Sequence, residues 1–141
     1  MLITRQTDYT IRVLIYLSSV PKGTTVPARE IADKACVPRS FIPGIISILA
    51  RKKIVVTEKG KGGGVRLVKE PSEISVYEIV EAVEGPIEVN ICIDRPEECP
   101  FSKECKIRLL WKEIQEYIDN KLKSTKISDV FYKYDISQTK K

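Results

Sequence analysis

Apolar residues recur at helical spacing through the first fifty positions of the chain. The segment TDYTIRVLIYLSSV carries one apolar stripe and ends before a proline and a glycine, which is typical of an amphipathic helix. Two shorter segments with the same period, VPAREIADKACV and SFIPGIISILARKK, lie on either side of Pro38. We expect Ser40 to cap the second of them. Two short helices about a tight turn predict a helix-turn-helix.

The period then changes from helical to strand-like. Two β-branched runs, IVVT and VRLV, are separated by EKGKGGG, which predicts a β-hairpin with a glycine-rich, cationic tip, a wing. A glycine-rich loop can also cradle phosphate in an enzyme. This loop leads into a strand and lacks Lys-Ser/Thr after its last glycine, which argues against a nucleotide-binding P-loop.

A long amphipathic helix is predicted in the second half, after a short helix at SVYEIVEAVE. The segment KECKIRLLWKEIQEYIDNKLK carries an apolar stripe that runs for about five turns. The stripe consists of Ile107, Leu110, Trp111, Ile114, Ile118 and Leu122. It could pack on its own domain or on the same helix of a second subunit. We favour the homodimer, because a small winged helix offers little further surface to cover it.

The predicted fold class is therefore mainly α with a small β-hairpin: a winged helix-turn-helix plus a long dimerisation helix. We assign residues 1–85 to the DNA-binding domain, 86–105 to a cysteine-containing loop and 103–123 to the long helix. Residues 124–141 are expected to form a C-terminal tail that is partly packed and then frayed.

The composition fits a soluble protein of one domain. The chain has 141 residues, and no run of about 20 apolar residues predicts a membrane helix. Charged residues near the start, Arg5, Asp8 and Arg12, do not fit a signal peptide. We therefore expect a cytoplasmic protein, in which grouped cysteines bind metal more often than they form disulfides.

Positive charge is concentrated in the first half of the chain. Residues 1–70 carry 13 Lys+Arg and 5 Asp+Glu, a net charge of +8, whereas residues 71–141 carry 11 and 14, a net charge of −3. This asymmetry suggests that only the first half meets a polyanion. The alternative is a generally basic soluble protein, which composition alone favours.

The predicted partner is double-stranded DNA, with the third helix in the major groove, where base edges carry a distinguishable code. The candidates for base contacts are Arg39, Ser40 and Ser47. The candidates for phosphate contacts are Lys52 and Lys53, and those for the minor groove are Lys59 and Lys61 on the wing. Each lysine alone would be an ordinary solvated charge, but helix-turn-helix, wing and charge asymmetry together favour DNA binding.

Three of the four cysteines form a group, and the chain has no histidine. Cys92, Cys99 and Cys105 have the spacing C-x6-C-x5-C, unlike the paired C-x2-C of zinc sites. Thiolates suit iron–sulfur clusters or zinc. A zinc-stapled loop, a thiol redox pair and unligated cysteines remain alternatives. The fourth cysteine, Cys36, is predicted to be a small core residue.

Together these features resemble the Rrf-type family of bacterial winged-helix transcription regulators. The matching pieces are TDYTIRVLIYL, the EIA of the second helix, KGKGGGVRL at the wing, SVYEIVEAVEG, and the three-cysteine loop before a long helix. The resemblance implies a homodimeric regulator, a repressor, whose interface is the long helix. It also implies an iron–sulfur cluster, 4Fe-4S or 2Fe-2S, on the three cysteines, which controls operator affinity in response to nitric oxide, redox state or cluster supply.

A cluster normally has four protein ligands. One branch of the family supplies a histidine shortly after the third cysteine, where this chain has Arg108. The nitric-oxide-sensing branch uses an N-terminal aspartate of the partner subunit, and Asp8 stands in that place. The resemblance thus implies Asp8 as the fourth ligand, although Asp8 could merely favour the helix N-terminus.

Two segments depart from the family pattern. The wing has Lys59-Gly60 where members often have Arg-Gly, and FIPGI replaces a more regular helical sequence in the third helix. The second departure weakens the assignment of base contacts.

Other functional classes explain less of the sequence. A zinc-stapled or metal-free DNA-binding module could respond to a metabolite or a partner protein. An electron carrier would leave the basic wing unexplained. An enzyme is not expected, because the chain has no histidine and no recognisable pairing of nucleophile and base.

Overall fold

The computed structural model describes residues 3–130. Its helices and strands follow in the order α1 Arg5–Ser19, α2 Ala28–Ala35, α3 Ile42–Arg51, β1 Val55–Glu58, β2 Gly64–Leu67, α4 Val76–Glu84, α5 Ile91–Asp94 and α6 Lys106–Ser124. Short 3-10 turns occupy Arg39–Phe41, Pro71–Glu73, Pro96–Glu98 and Ile127–Val130. The predicted fold class, mainly α with one antiparallel hairpin, is confirmed. The part of the predicted tail beyond residue 130 lies outside the described residues.

Helix α1 is the centre of the hydrophobic core. Its inner stripe, represented by Val13 and Leu14, is completely buried and packs against α2, α4 and the 3-10 turn at Ile127–Val130. Ile45 and Leu49 of α3 belong to the same core. Full burial of one such side chain stabilises a fold by about 1.5–3 kcal/mol, so these helices form one packed unit.

The wing is joined to the helix-turn-helix through the backbone. Val26, just before α2, and Val65 on β2 exchange two N–H···O=C hydrogen bonds of 2.8 Å each. The approach is close, because a Cβ atom at Gly64 would lie 2.2 Å from the Val26 carbonyl oxygen. Glycine at position 64 therefore permits this contact, and the wing is fixed to the start of α2.

After α6 the chain packs again on the core around α1. The N–H of Ile127 donates to the carbonyl of Ile74 at 2.9 Å, and the N–H of Val76 donates to the carbonyl of Thr125 at 2.9 Å. Ile127 is completely buried in the core around α1. The end of α6 is consequently tied to the start of α4.

Two local expectations were wrong. Cys36 is exposed, because α2 ends at Ala35 and the cysteine takes a left-handed conformation with φ of 54° as the helix cap. Ser40 does not cap α3, because it lies within the 3-10 turn and Phe41 occupies the cap position without a side-chain hydrogen bond.

The described part of the chain contains no candidate for a membrane-spanning helix. None of the helices within residues 3–130 combines the length and apolar character that a bilayer crossing requires.

Candidate nucleic-acid interface and cysteine pocket

All seven predicted DNA-contacting side chains are exposed. They are Arg39, Ser40, Ser47, Lys52, Lys53, Lys59 and Lys61. They occupy the turn before α3, α3 itself, the turn after it and the tip between β1 and β2. Arg39 forms a salt bridge with Asp33 at 3.5 Å, and both side chains are more than half exposed. Such an exposed pair contributes little, so it leaves the Arg39 guanidinium available to another anion.

The outer surface of α3 is unusually apolar for a helix expected to contact DNA. Among its ten residues only Ser47 and Arg51 are polar or charged. A shallow groove of about 350 Å³ runs between the starts of α2 and α3. Its lining residues are Ala28, Arg29, Arg39, Ile42, Pro43 and Ile46.

The irregular FIPGI segment folds as a regular helix over most of its length. Pro43 is the second residue of α3, where its missing N–H has no helical partner to lose. Gly44 follows within the helix, and a Cβ atom there would have only the Gln6 side chain near it, at 3.7 Å. The proline and the glycine therefore leave α3 helical from Ile42 to Arg51.

The three grouped cysteines line one pocket. Its volume is about 160 Å³, and its walls are Asn90, Ile91, Cys92, Cys99, Ser102, Cys105, Ile107, Arg108 and Trp111. Cys92 is buried in α5, Cys99 follows the 3-10 turn at Pro96–Glu98, and Cys105 is the cap residue of α6. All three thiols are free. Three separate elements thus each contribute one cysteine to the wall of the same pocket.

The residues of the pocket fit a thiophilic metal or cluster in chemical type. Free thiols are the soft donors that iron–sulfur clusters and zinc take. Nevertheless, among residues 3–130, no three cysteine, aspartate or glutamate side chains are close enough together to hold one metal ion. The thiols would have to approach one another to ligate a shared group.

Asp8 does not reach this pocket within one chain. It lies in the first turn of α1, where its carboxylate pairs with Arg12 at 3.0 Å and is 55% exposed. Within the described chain the structure therefore brings together the three predicted cysteine ligands and leaves Asp8 apart.

Two side chains of α6 position the cysteine loop. The Arg108 Nε–H donates to the Cys92 carbonyl at 3.0 Å. The Gln115 side chain donates to the Ile87 carbonyl at 2.8 Å and accepts the Val89 N–H at 2.7 Å. Gln115 is buried, and sequence reasoning missed it. Its spacing of four residues from Trp111 on the apolar stripe was the available signal.

Glu84 joins the entrance of this loop to the start of α1. Its carboxylate accepts the Thr4 hydroxyl and the Thr7 hydroxyl at 2.5 Å each and the Thr4 N–H at 2.9 Å. These hydrogen bonds, from Thr4 first and then Thr7, lower the pKa of Glu84 below its ordinary value. The residue ends α4 immediately before Gly85, so the N-terminus of α1 and the cysteine loop share one anchoring point.

Comparison with known proteins identifies the family. A family model described as "Rrf2: Iron-dependent Transcriptional regulator" matches residues 3–133. The chain belongs to the Rrf2 family. This confirms the resemblance drawn from the sequence motifs, and it makes the chain a DNA-binding transcription regulator and not an enzyme.

Individual relatives agree with the Rrf2 assignment. The HTH-type transcriptional regulator NsrR of Shouchella clausii is 31% identical over 109 residues, which cover 77% of this chain and 73% of the relative. The structure of CymR, described as the global cysteine regulator of B. subtilis, superposes with a TM-score of 0.73 at 24% identity, covering 92% of this chain and 95% of that one. T. potens IscR gives a TM-score of 0.68 at 18% identity, with coverage of 92% and 85%. The two structures show that this Rrf2 regulator shares their fold.

Proposed function

We propose that this Rrf2 regulator is a homodimeric repressor whose affinity for its operator is controlled by an iron–sulfur cluster, 4Fe-4S or 2Fe-2S, on Cys92, Cys99 and Cys105. The observation that carries the proposal is the convergence of three free thiols on one pocket at the start of α6. The iron dependence in the family description and the likeness to an NsrR support it. The cluster would respond to nitric oxide, redox state or cluster supply.

The chain's own residues would transmit the state of the pocket. Cys105 caps α6, and Arg108 on the next turn holds the backbone of Cys92. A bound cluster would supply a redox-sensitive, thiolate-ligated centre that draws the three thiols together. Because α6 is tied to α4 at its far end, closing or opening the loop would act on the helix as a whole.

The exposed apolar side of α6 supports the dimer. Ile107 and Leu110 are 50% and 45% exposed, and two residues outside the predicted stripe, Leu109 and Tyr117, are 60% and 69% exposed. The remaining stripe residues are only partly buried: Trp111, Ile114, Ile118 and Leu122. An exposed apolar strip of this kind supports an interface with a second subunit.

The dimer is tested by sedimentation velocity. We expect the wild-type protein to sediment as a dimer and Leu110→Glu to shift the population toward monomer. Glu116→Arg, a change of charge at an exposed position of the same helix, should leave the dimer intact. A monomeric wild-type protein at micromolar concentration would contradict this part of the proposal.

Asp8 of the partner subunit is the proposed fourth ligand. The carboxylate is exposed and forms a salt bridge with Arg12. An i,i+4 surface pair of this kind is worth about 0.3–0.5 kcal/mol, so a competing ligand role can displace it. Asp8→Ala should change the visible absorption of the reconstituted cluster and shorten its lifetime. Arg12→Ala breaks the same salt bridge and keeps the carboxylate, so it should leave both unchanged. Equal spectra and lifetimes for wild type and Asp8→Ala would remove Asp8 from the ligand set.

Anaerobic purification tests the cluster itself. Iron and sulfide would be measured before and after nitric oxide, together with affinity for the DNA upstream of the gene. We expect the wild-type protein to be brown and to contain iron and sulfide. Cys92→Ser should no longer bind iron and sulfide, whereas the control Cys36→Ser should bind both. Protein that takes up no iron, or whose DNA affinity is unaffected by removing and rebuilding the site, would contradict the proposal.

A cluster-free regulator is the second candidate. The separation of the thiols in the described residues and the shared fold with CymR favour it. In that case the loop would be zinc-stapled or metal-free, and the signal would be a metabolite or a partner protein. Colourless anaerobic protein with stoichiometric zinc, or with no metal, would distinguish it from the first candidate.

A further inference from the structure

The groove between α2 and α3 has walls that are almost entirely hydrocarbon. Ile42 forms its base and is 3% exposed, whereas Pro43 is exposed and Ile46 partly exposed. Ala28 closes the opposite side from α2. Because Ile42 is packed in the core and the ring of Pro43 is rigid, the groove exists before any ligand arrives.

Its position is that of a base-reading surface. The N-terminal residues of the second helix of a helix-turn-helix contact base edges in the major groove, and Pro43 and Ile46 lie in the first half of α3. Hydrogen-bond readout by α3 itself is restricted, because Ser47 and Arg51 are its only polar residues. The apolar residues that make up most of this surface can instead contact an apolar feature of the base pairs.

The apolar feature of the major groove is the thymine C5-methyl group, which pairs with apolar side chains. The charges at the groove agree with a DNA occupant. Arg29 and Arg39 line its rim and both are exposed, so their guanidinium groups can reach phosphates on either side of a contacted base. The sequence alone did not single out Arg29, Pro43 or Ile46 for DNA contact. It assigned Arg39 to a base contact, whereas the place of Arg39 at the rim favours a phosphate contact.

We propose that this groove reads thymine methyl groups in the operator half-site, with Pro43 and Ile46 contacting the methyl and Arg29 and Arg39 holding the neighbouring backbone. The inference rests on the DNA-binding function and adds a statement of which base pairs the protein prefers. It implies half-sites in which T·A pairs are favoured at the positions facing α3.

The test begins with selection of bound duplexes from a random pool by the full-length protein. Thymine in the enriched half-site is then replaced by uracil, one position at a time, which removes only the methyl group. At the positions facing α3 we expect about a fourfold loss of affinity per methyl, equivalent to ~0.8 kcal/mol for one buried carbon. Thymines elsewhere in the duplex should tolerate the replacement.

Protein variants connect the methyl to the groove. Ile46→Ala should show a smaller difference in affinity between thymine and uracil duplexes than wild type does, because the substitution and the loss of the methyl group remove the same contact. Pro43→Ala provides a second variant at an exposed position, in case Ile46→Ala fails to fold. Arg29→Ala should weaken binding to both duplexes equally and reduce the salt dependence. Lys61→Ala, on the wing, should keep the full difference between thymine and uracil.

The possible outcomes distinguish failure of the thymine-methyl proposal from failure of DNA binding. Sequence-selective binding that is unchanged by uracil at every enriched thymine would overturn the proposal and leave DNA binding intact. Undiminished methyl sensitivity in both Ile46→Ala and Pro43→Ala would also overturn it. A pool that yields no enriched sequence would overturn sequence-selective DNA binding together with this inference.

Discussion

The side chain of Gln115, in the middle of α6, donates a hydrogen bond to the backbone carbonyl of Ile87 with 2.8 Å between nitrogen and oxygen. The same amide accepts the N–H of Val89 at 2.7 Å and donates to Asp119 at 2.9 Å. One buried glutamine therefore satisfies two backbone groups of the segment that leads into the cysteine loop.

Replacing Gln115 with alanine is expected to destabilise the protein by about 2 kcal/mol, since a buried polar group left without a partner costs about 1–3 kcal/mol. Urea denaturation of the metal-free protein measures the change. The neighbouring Glu116→Ala, at an exposed position, should stay within about 0.5 kcal/mol of wild type. Equal effects for the two variants would show that the Gln115 hydrogen bonds do not hold the loop.

Glu84 should make stability depend on pH. Its pKa is lowered in the folded protein from an ordinary value of 4.5 by the Thr4 and Thr7 hydrogen bonds. A depressed pKa stabilises the fold above the unfolded-state value, and this contribution is lost as the pH falls through the folded-state value.

We therefore expect Glu84→Gln to be less stable than wild type by about 1 kcal/mol at neutral pH. The expected loss of stability is smaller than the ~1.5–3 kcal/mol that a hydrogen bond to a charged group contributes, because the Glu84 carboxylate is only partly buried. The difference should shrink as the pH is lowered below 4.5. Denaturation at several pH values measures it, with Glu116→Gln as the control. A difference that is constant with pH would exclude the carboxylate charge as its cause.

Two glycine-to-alanine substitutions should have opposite effects. Gly64→Ala places a Cβ atom 2.2 Å from the Val26 carbonyl oxygen and should destabilise by about 1–3 kcal/mol, as overpacking does. Gly44→Ala meets no atom closer than 3.7 Å and should stabilise α3 by about 0.5–1 kcal/mol. Thermal unfolding of both variants checks the prediction, which fails if Gly64→Ala is tolerated.

Lys61 at the wing tip, which is predicted to reach the minor groove, should also neutralise phosphate charge beside that groove. Because each neutralised phosphate contributes about −0.9 to the slope of log affinity against log salt, Lys61→Ala should flatten that slope by about 1 per subunit. Binding to an enriched duplex at several salt concentrations gives the slope. Lys121→Ala, exposed near the end of α6, should leave it unchanged. An unaltered slope in Lys61→Ala would place the wing lysine away from the backbone.

Periodicity predicted the elements because each helix buries one stripe on a common core. Leu14 and Ile45 are buried as their spacing indicated, and the hairpin lies where the period changed. The local errors concern ends of elements. Cys36 looked apolar but occupies a left-handed cap, a backbone conformation that residue type alone rarely indicates.

The site was less predictable because it depends on contacts between distant segments. The spacing of the cysteines indicated a shared site, and they do line one pocket. The stripe spacing could have placed Gln115 on the buried side of α6. The sequence contains no local signal, however, that Gln115 accepts a hydrogen bond from Val89 or that Glu84 accepts one from Thr4. Asp8 stays a predicted ligand, since its assignment depends on a second subunit.

The paired hydrogen bonds between Val26 and Val65 restrict how a signal can reach DNA. With the wing fastened to the start of α2, we expect the predicted recognition helix α3 and the wing to move together on DNA. What remains adjustable is the distance and tilt between the two copies in a dimer. We therefore expect each signalling state to bind best at one particular spacing of the two operator half-sites. Operators with different spacings would measure that distance.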